Sequence, residues 1–201
     1  MSVPIPRSRP KASQDIVVQA LIDSGLWSND KITRFSVIGV RGYYDSSMGK
    51  PNQNDRGMYD DAAFILSPTC FKSFNFNTDP HSFRIGRAMM EAPQRLRYVA
   101  GWHGYGRSTG HPAFRQASDV IVKRDGKTGH GTPLGNGRFK DRASKRFWIN
   151  LHRGGNTTTA SAGCQTIPPV QWKEFHYLVH AQMKKWKQPN FNYFLIEGPI
   201  T

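Results

Sequence analysis

The chain has 201 residues, of which 37% are hydrophobic and 21% charged, a composition that excludes collagen-like and intrinsically disordered proteins. No apolar run approaches the roughly 18 residues of a membrane span, and no apolar segment follows the basic start of the chain as in a secretion signal. The 28 Lys and Arg against 14 Asp and Glu give a net charge of +14, which favours nucleic acid, an anionic cell-wall polymer or lipid headgroups as partner.

Residues 1–12 are rich in Pro, Arg and Lys and predict an extended basic arm. Ser13 is a suitable N-cap for a short helix over 14–23. Short β-rich runs separated by turn residues predict strands at 35–40, 62–66, 96–100, 119–123, 147–151 and 191–196. Pro168 opens the strongest helical pattern, which continues to about residue 187 with an apolar stripe. We expect one domain over residues 1–201, mainly antiparallel β with one or two packed helices.

Basic residues are concentrated between residues 123 and 153. Nine lie there, against two acidic residues: Lys123, Arg124, Lys127, Arg138, Lys140, Arg142, Lys145, Arg146 and Arg153. They form either a solvated face that aids solubility or a surface that contacts phosphates, with Trp148, Trp102 or Tyr105 stacking on bases.

A cysteine and a histidine flank an eleven-residue loop rich in small and polar residues. His152 ends an apolar strand, and Cys164 lies just before the strong helix. A thiol forms a thiolate near neutral pH when an imidazole, positive charge or a helix N-terminus is close. Small neighbours should expose Cys164, and amides around Gly163 are suited to an oxyanion. The alternative is a buried thiol and a surface histidine without catalytic function.

The same residues resemble the active-site region of the L,D-transpeptidase catalytic domain. In that family a strand ending in His-Gly is followed by Ser-His-Gly-Cys-x-Arg. His152 matches the upstream histidine, and Ser161, Gly163 and Cys164 match the second element, with Cys164 as nucleophile. Upstream, residues 111–116 resemble the aromatic segment that lines the substrate cleft of the family.

The likeness covers about residues 83–186 and implies an α+β fold, an antiparallel β-sandwich-like structure with one main helix after the cysteine. Three positions depart from the family pattern. Ala162 replaces a histidine, Thr166 replaces an arginine, and Gly155 comes one residue late. Peptide recognition must therefore use other groups. The candidate substrate-binding residues are Arg153, Gln165, Arg115, His111, His103 and Ser161.

The resemblance implies a peptidoglycan peptide hydrolase. Cys164 would attack a peptide carbonyl beside a D-configured or diaminopimelate centre, His152 would carry the proton, and amides at Gly163 would hold the oxyanion. A leaderless, basic chain also resembles a phage endolysin, made in the host cytoplasm and released to the wall by a separate holin-type pore. We expect a monomer without cofactor, metal, membrane span or nucleic-acid partner, attracted to anionic envelope polymers.

Two alternatives belong to other functional classes. A nucleic-acid-binding module would use the basic residues between 123 and 153 and would not depend on Cys164. A zinc-dependent amidase or peptidase would use a tetrahedral ligand set. The candidate ligands are His103, His111, His152 and Cys164.

Overall fold

The computed structural model describes residues 2–28, 31–141 and 148–200. Both predicted helices are present. Helix α1, Gln14–Asp23, begins where the Ser13 hydroxyl accepts the Ile16 N–H, because this bond satisfies a helix-end donor. Helix α2 is Pro169–Lys185. Asp125–Lys127 form a short 3-10 turn.

Eight strands form the larger sheet: β1 Ser36–Arg41, β2 Asp61–Ser67, β3 Cys70–Phe76, β5 Gln94–His103, β6 His111–Gln116, β10 Leu151–Arg153, β11 Gln165–Ile167 and β12 Phe191–Glu197. Their order is β11-β10-β6-β5-β12-β1-β2-β3. The pairs β1–β12 and β10–β11 are parallel, and the other pairs are antiparallel. Two backbone hydrogen bonds of 2.9 Å between Asn77 and Thr166 link the two ends of this sheet.

A smaller antiparallel sheet has the order β4-β7-β9-β8. Its strands are β4 Ala88–Met90, β7 Val120–Arg124, β8 Thr132–Gly135 and β9 Arg138–Asp141. The structure is therefore mainly β with two helices, which confirms the predicted class. The strand predicted over 147–151 begins later, at Leu151, and Phe147 lies outside the described residues. Strands β3, β4, β6, β8, β9 and β11 were not predicted.

Both faces of the larger sheet are covered, which explains why strands β1 and β2 are buried at every residue. Val37 of β1 faces a core that includes Phe175 and Val179 of α2. Its neighbour Ile38 faces a second core with Val17 and Leu21 of α1. Successive side chains of β1 face opposite sides of the sheet, so the strand contributes to two hydrophobic layers instead of one.

The basic arm predicted at the start of the chain is bound to the body of the protein. Tyr59 N–H donates to the Pro4 carbonyl at 3.0 Å, and the Ser73 hydroxyl donates to the Pro10 carbonyl at 2.7 Å. Arg9 forms a 2.6 Å ion pair with Glu174 on α2. The arm is therefore extended, as predicted, but packed along β3 and α2.

Candidate active site

Three histidines converge from three neighbouring strands. His103 at the end of β5 pairs in register with His111 at the start of β6, and His152 of β10 pairs with Ala113 of β6. The rings of His103 and His152 stack with centroids 4.0 Å apart. His111 Nε2 lies 3.3 Å from His152 Nδ1. Antiparallel registry therefore gathers residues that are far apart in the chain.

Cys164 joins this cluster because β11 runs parallel to β10, with Gln165 opposite Leu151. The Cys164 sulfur, a nitrogen of His103 and a nitrogen of His152 all lie within 4.8 Å of one another. The thiol also approaches the Trp148 carbonyl at 3.6 Å. The structure thus brings together Cys164, His152, His103 and His111, which we call the His–Cys cluster.

Hydrogen bonding fixes which nitrogen of His152 carries its proton. His152 Nδ1 lies 2.7 Å from the Arg153 carbonyl, and a carbonyl only accepts, so Nδ1 is the protonated nitrogen. His152 Nε2 is buried and has no partner among residues 2–28, 31–141 and 148–200. It is the nitrogen with a free lone pair, so it can accept a proton.

Burial favours the neutral forms of both His152 and Cys164. The pKa of His152 falls to about 3, mainly through burial and also through the nearby His103. Burial raises the pKa of the Cys164 thiol to about 11, although the Asn150 N–H partly opposes the increase. The two groups are therefore a neutral thiol and a neutral imidazole, not a preformed thiolate beside an imidazolium.

The expected exposure of Cys164 is wrong, because its side chain is only 8% exposed. Small neighbours allow other segments to pack closely over the sulfur instead of leaving it open. The helix N-terminus is also not directly behind the cysteine, since the three residues of β11 separate Cys164 from α2. An extended strand of that length spans roughly 10 Å.

Gly163 and Ser161 shape the loop that carries Cys164. Ser161 Oγ accepts the Gly163 N–H at 3.1 Å and donates to the Cys164 carbonyl at 2.7 Å. Gly163 has a φ of 138°, and a Cβ there would collide with the Ala88 carbonyl. Of the amides predicted around Gly163 and Cys164 to hold an oxyanion, the Gly163 N–H is already bonded and so is not available. The Cys164 N–H has no acceptor among the described residues.

Gln165 and Ser161 are buried and support the loop, so they do not face substrate as the sequence predicted. Gln165 Nε2 donates to the Thr78 carbonyl at 3.1 Å, and its Oε1 accepts the Tyr193 hydroxyl at 2.8 Å. Arg115 and Arg153 are exposed. These arginines therefore remain available to a ligand.

A pocket of about 450 Å³ opens beside the cluster. Its walls are Trp102, His103, Gly104, Tyr105, Arg107, Arg115, Trp148 and Asn150. Asn150 Nδ2 donates to His103 Nδ1 at 3.2 Å. Sequence reasoning assigned no role to Asn150 or Arg107. The position of Asn150 two residues before His152 was the available signal, since alternate strand residues share a face.

The candidate zinc ligands of the alternative function lie close together, but one imidazole would have to rotate before they could share an ion. His103, His152 and Cys164 are close enough in space, but the two rings are nearly parallel, with an interplanar angle of 19°. A metal bound by a ring lone pair lies close to the plane of that ring. Two stacked, parallel planes cannot both contain one ion, so one ring would have to rotate.

Three of the six described basic residues between 123 and 153 have acidic partners. Arg124 forms a buried ion pair with Asp141. Arg138 pairs with Glu91 at 2.6 Å, and Lys140 pairs with Asp119 at 3.3 Å. Three further basic residues, Arg142, Lys145 and Arg146, lie outside the described residues. This pairing reduces the charge that the stretch can offer to phosphates.

Within the described residues, no helix combines the length and apolarity that crossing a membrane requires. Comparisons of the chain with protein-family models, curated proteins and solved structures find no match, so the functional argument depends on the residues of the site.

Proposed function

We propose that this protein is a cysteine hydrolase that cleaves peptide bonds of peptidoglycan through an acyl-enzyme, with Cys164 as nucleophile and His152 as base. One observation carries the proposal. The Cys164 sulfur lies within 4.8 Å of a His152 nitrogen, and the Nδ1–H bond to the Arg153 carbonyl leaves the buried Nε2 unpartnered. This arrangement meets the requirement that the base be oriented by a third group.

In the proposed reaction, Nε2 of His152 takes the thiol proton while the Cys164 sulfur attacks the peptide carbonyl. The Cys164 N–H stabilises the oxyanion. His152 then returns the proton to the leaving amine, and a thioester remains on Cys164. Water attacks the thioester as His152 accepts a proton from it, which releases the acid and restores the thiol.

Peptidoglycan is the proposed substrate because the motif around His152 and Cys164 resembles the L,D-transpeptidase domain, and the same proposal includes an L,D-transpeptidase-like fold. The net charge of +14 favours accumulation on anionic envelope polymers. A phage endolysin that reaches the wall through a separate pore agrees with both features. Thr166, at the position of the family arginine, is buried and accepts a bond from Asn77 Nδ2, so an arginine function must be supplied elsewhere.

Nucleic-acid binding is less well supported. Arg124, Arg138 and Lys140 are ion-paired within the protein, and that function gives no role to the reactive thiol. A salt-dependent affinity for DNA that is equal in wild type and Cys164→Ala, without any cleavage of peptidoglycan, would favour it instead.

The test is digestion of purified peptidoglycan, with the new termini identified by mass spectrometry. Wild type should release new amino and carboxyl termini. Cys164→Ala should lower the rate by at least about 10³-fold, because no other group can form the thioester. Cys70→Ala is the matched control, since Cys70 is also a free cysteine but lies on β3.

The activity of Cys70→Ala should equal that of wild type. Equal activity in Cys164→Ala, or no new termini from a folded wild-type protein, would disprove the proposal. New cross-links in place of new carboxyl termini would show that an amine, not water, resolves the thioester.

A further inference from the structure

The pocket beside the His–Cys cluster contains two arginines that lack acidic partners. Arg107 and Arg115 form no ion pair with any carboxylate in the described parts of the chain. Elsewhere, Arg41, Arg56 and Arg138 all have such partners. The pocket therefore presents uncompensated positive charge beside the His–Cys cluster.

Arg115 is held in position by its neighbours. Its guanidinium lies over the Trp148 ring, 5.3 Å from the centroid, in a cation–π arrangement. Its side chain also crosses Gly101, where an added Cβ would lie 2.6 Å from Arg115 Nε. The absence of a side chain at Gly101 thus creates the space that directs Arg115 across the sheet and into the pocket.

The pocket adjoins the His–Cys cluster through two of its walls. Trp148, one of its walls, provides the carbonyl that contacts the Cys164 thiol. Asn150 and His103 are both pocket walls and are bonded to each other. A ligand bound in this pocket would therefore lie beside His103 and Trp148, the residues next to the Cys164 thiol.

We infer that this pocket binds a free carboxylate on the acyl-donor part of the substrate, with Arg107 and Arg115 as its partners and Trp102 and Trp148 as side walls. A guanidinium presents two parallel N–H groups that match a carboxylate. The inference rests on the proposed function for its substrate class. Arg107 and Arg115 would provide the positive charge that Thr166, at the position of the family arginine, cannot provide.

The experiment measures binding separately from turnover. The full-length Cys164→Ala protein is titrated calorimetrically with a diaminopimelate-containing stem peptide that has free carboxylates, and with the same peptide fully amidated. The free acid should bind about tenfold to a hundredfold more tightly, the effect expected of hydrogen bonds to a charged group. Adding Arg107→Met or Arg115→Met should remove most of that preference and leave affinity for the amide little changed.

Arg97→Met in the same background is the control. Arg97 is an exposed arginine on β5, the strand that pairs with the β6 strand of Arg115, and it lines a different basic pocket together with Arg34. This variant has the same change in net charge and should keep the full preference. Equal affinities for the two peptides, binding of neither, or an equal loss in Arg97→Met would overturn the inference.

Turnover of the same peptides, or of cross-linked dimers made from them, by wild type tests the proposed function separately. Acid-selective binding without turnover would support the carboxylate pocket and contradict the hydrolase. Turnover without selectivity would support the hydrolase and contradict the pocket.

Discussion

Burial shifts the pKa values of two buried polar clusters in this protein in opposite directions. The His–Cys cluster contains bases that burial keeps unprotonated, as the lowered pKa of His152 indicates. The second cluster, which we call the carboxylate cluster, consists of Arg41, Asp60, Asp61 and Asp79. There burial, together with repulsion from Asp79, raises the pKa of Asp60 to about 7. Burial favours the neutral form in both, which means loss of a proton in one and retention in the other.

The two clusters also differ in what their polar atoms contact. Asp61 accepts the Gly42 and Thr78 N–H groups at 2.6 Å each. Arg41 donates to the Met90 carbonyl at 2.8 Å and lies 3.4 Å from Asp79. The carboxylate cluster thus joins separate chain segments. No carboxylate of the described residues pairs with the His–Cys cluster, and this cluster borders an open pocket. A perturbed pKa therefore identifies a candidate catalytic site only when the groups are also accessible.

The largest expected effect is on catalysis, and it should be confined to the His–Cys cluster. His152→Ala should lower the rate of peptidoglycan cleavage by roughly 10²- to 10⁴-fold, the usual contribution of a general base. His111→Ala should have a smaller effect, because His111 contacts His152 Nδ1 and not the free Nε2. Cleavage rates measured with folded variants check this order. If His111→Ala lost more activity than His152→Ala, the assignment of His152 as the base would be wrong.

The next effect is on stability and should be confined to the carboxylate cluster. Arg41→Met leaves buried Asp79 without its cation, so the free energy of unfolding should fall by about 3–5 kcal/mol. Arg138→Met is the control, since its ion pair with Glu91 is partly exposed and should contribute at most about 1 kcal/mol. Urea unfolding of both variants measures the difference. Equal losses would mean that the buried ion pair of the carboxylate cluster contributes no more to stability than an exposed one.

The third effect is the pH dependence of stability, which should have opposite signs in the two clusters. The unfolded chain binds a proton at His152 below its ordinary pKa of 6.5, whereas the folded chain does not until about 3. The His152 contribution is therefore complete above pH 6.5 and is lost as pH falls. Asp60 has an ordinary pKa of 3.8 and a folded value of about 7. Its contribution is complete below 3.8 and is lost as pH rises to 7.

Unfolding free energies measured across this pH range for wild type, His152→Phe and Asp60→Asn test the signs. His152→Phe should flatten the decline toward acid, and Asp60→Asn should flatten the decline toward neutral pH. If both variants changed the slope in the same direction, the assignment of opposite protonation changes would be wrong.

Prediction from sequence succeeded where the signal was local. The hydroxyl of Ser13 caps the helix that it was expected to cap, and the apolar stripe through Trp172 and Phe175 faces the core. Strand β12 was also predicted nearly to its ends. The short strands β10 and β11 were missed or misplaced, because three residues carry almost no periodicity and are ordered by their neighbours.

The sequence by itself determined the two helices, the strands β1, β2, β5, β7 and β12, and the presence of a cysteine and a histidine around a loop of small residues. Helix capping and hydrophobic periodicity depend on residues close together in the chain, so they can be predicted from the sequence. The tertiary structure alone decided that Cys164 is buried, that Gln165 is a support, and that His103 and His152 stack. The burial and the pKa of a side chain depend on residues from strands distant in the sequence. Strand register, not local spacing, decides which of those residues lie next to it.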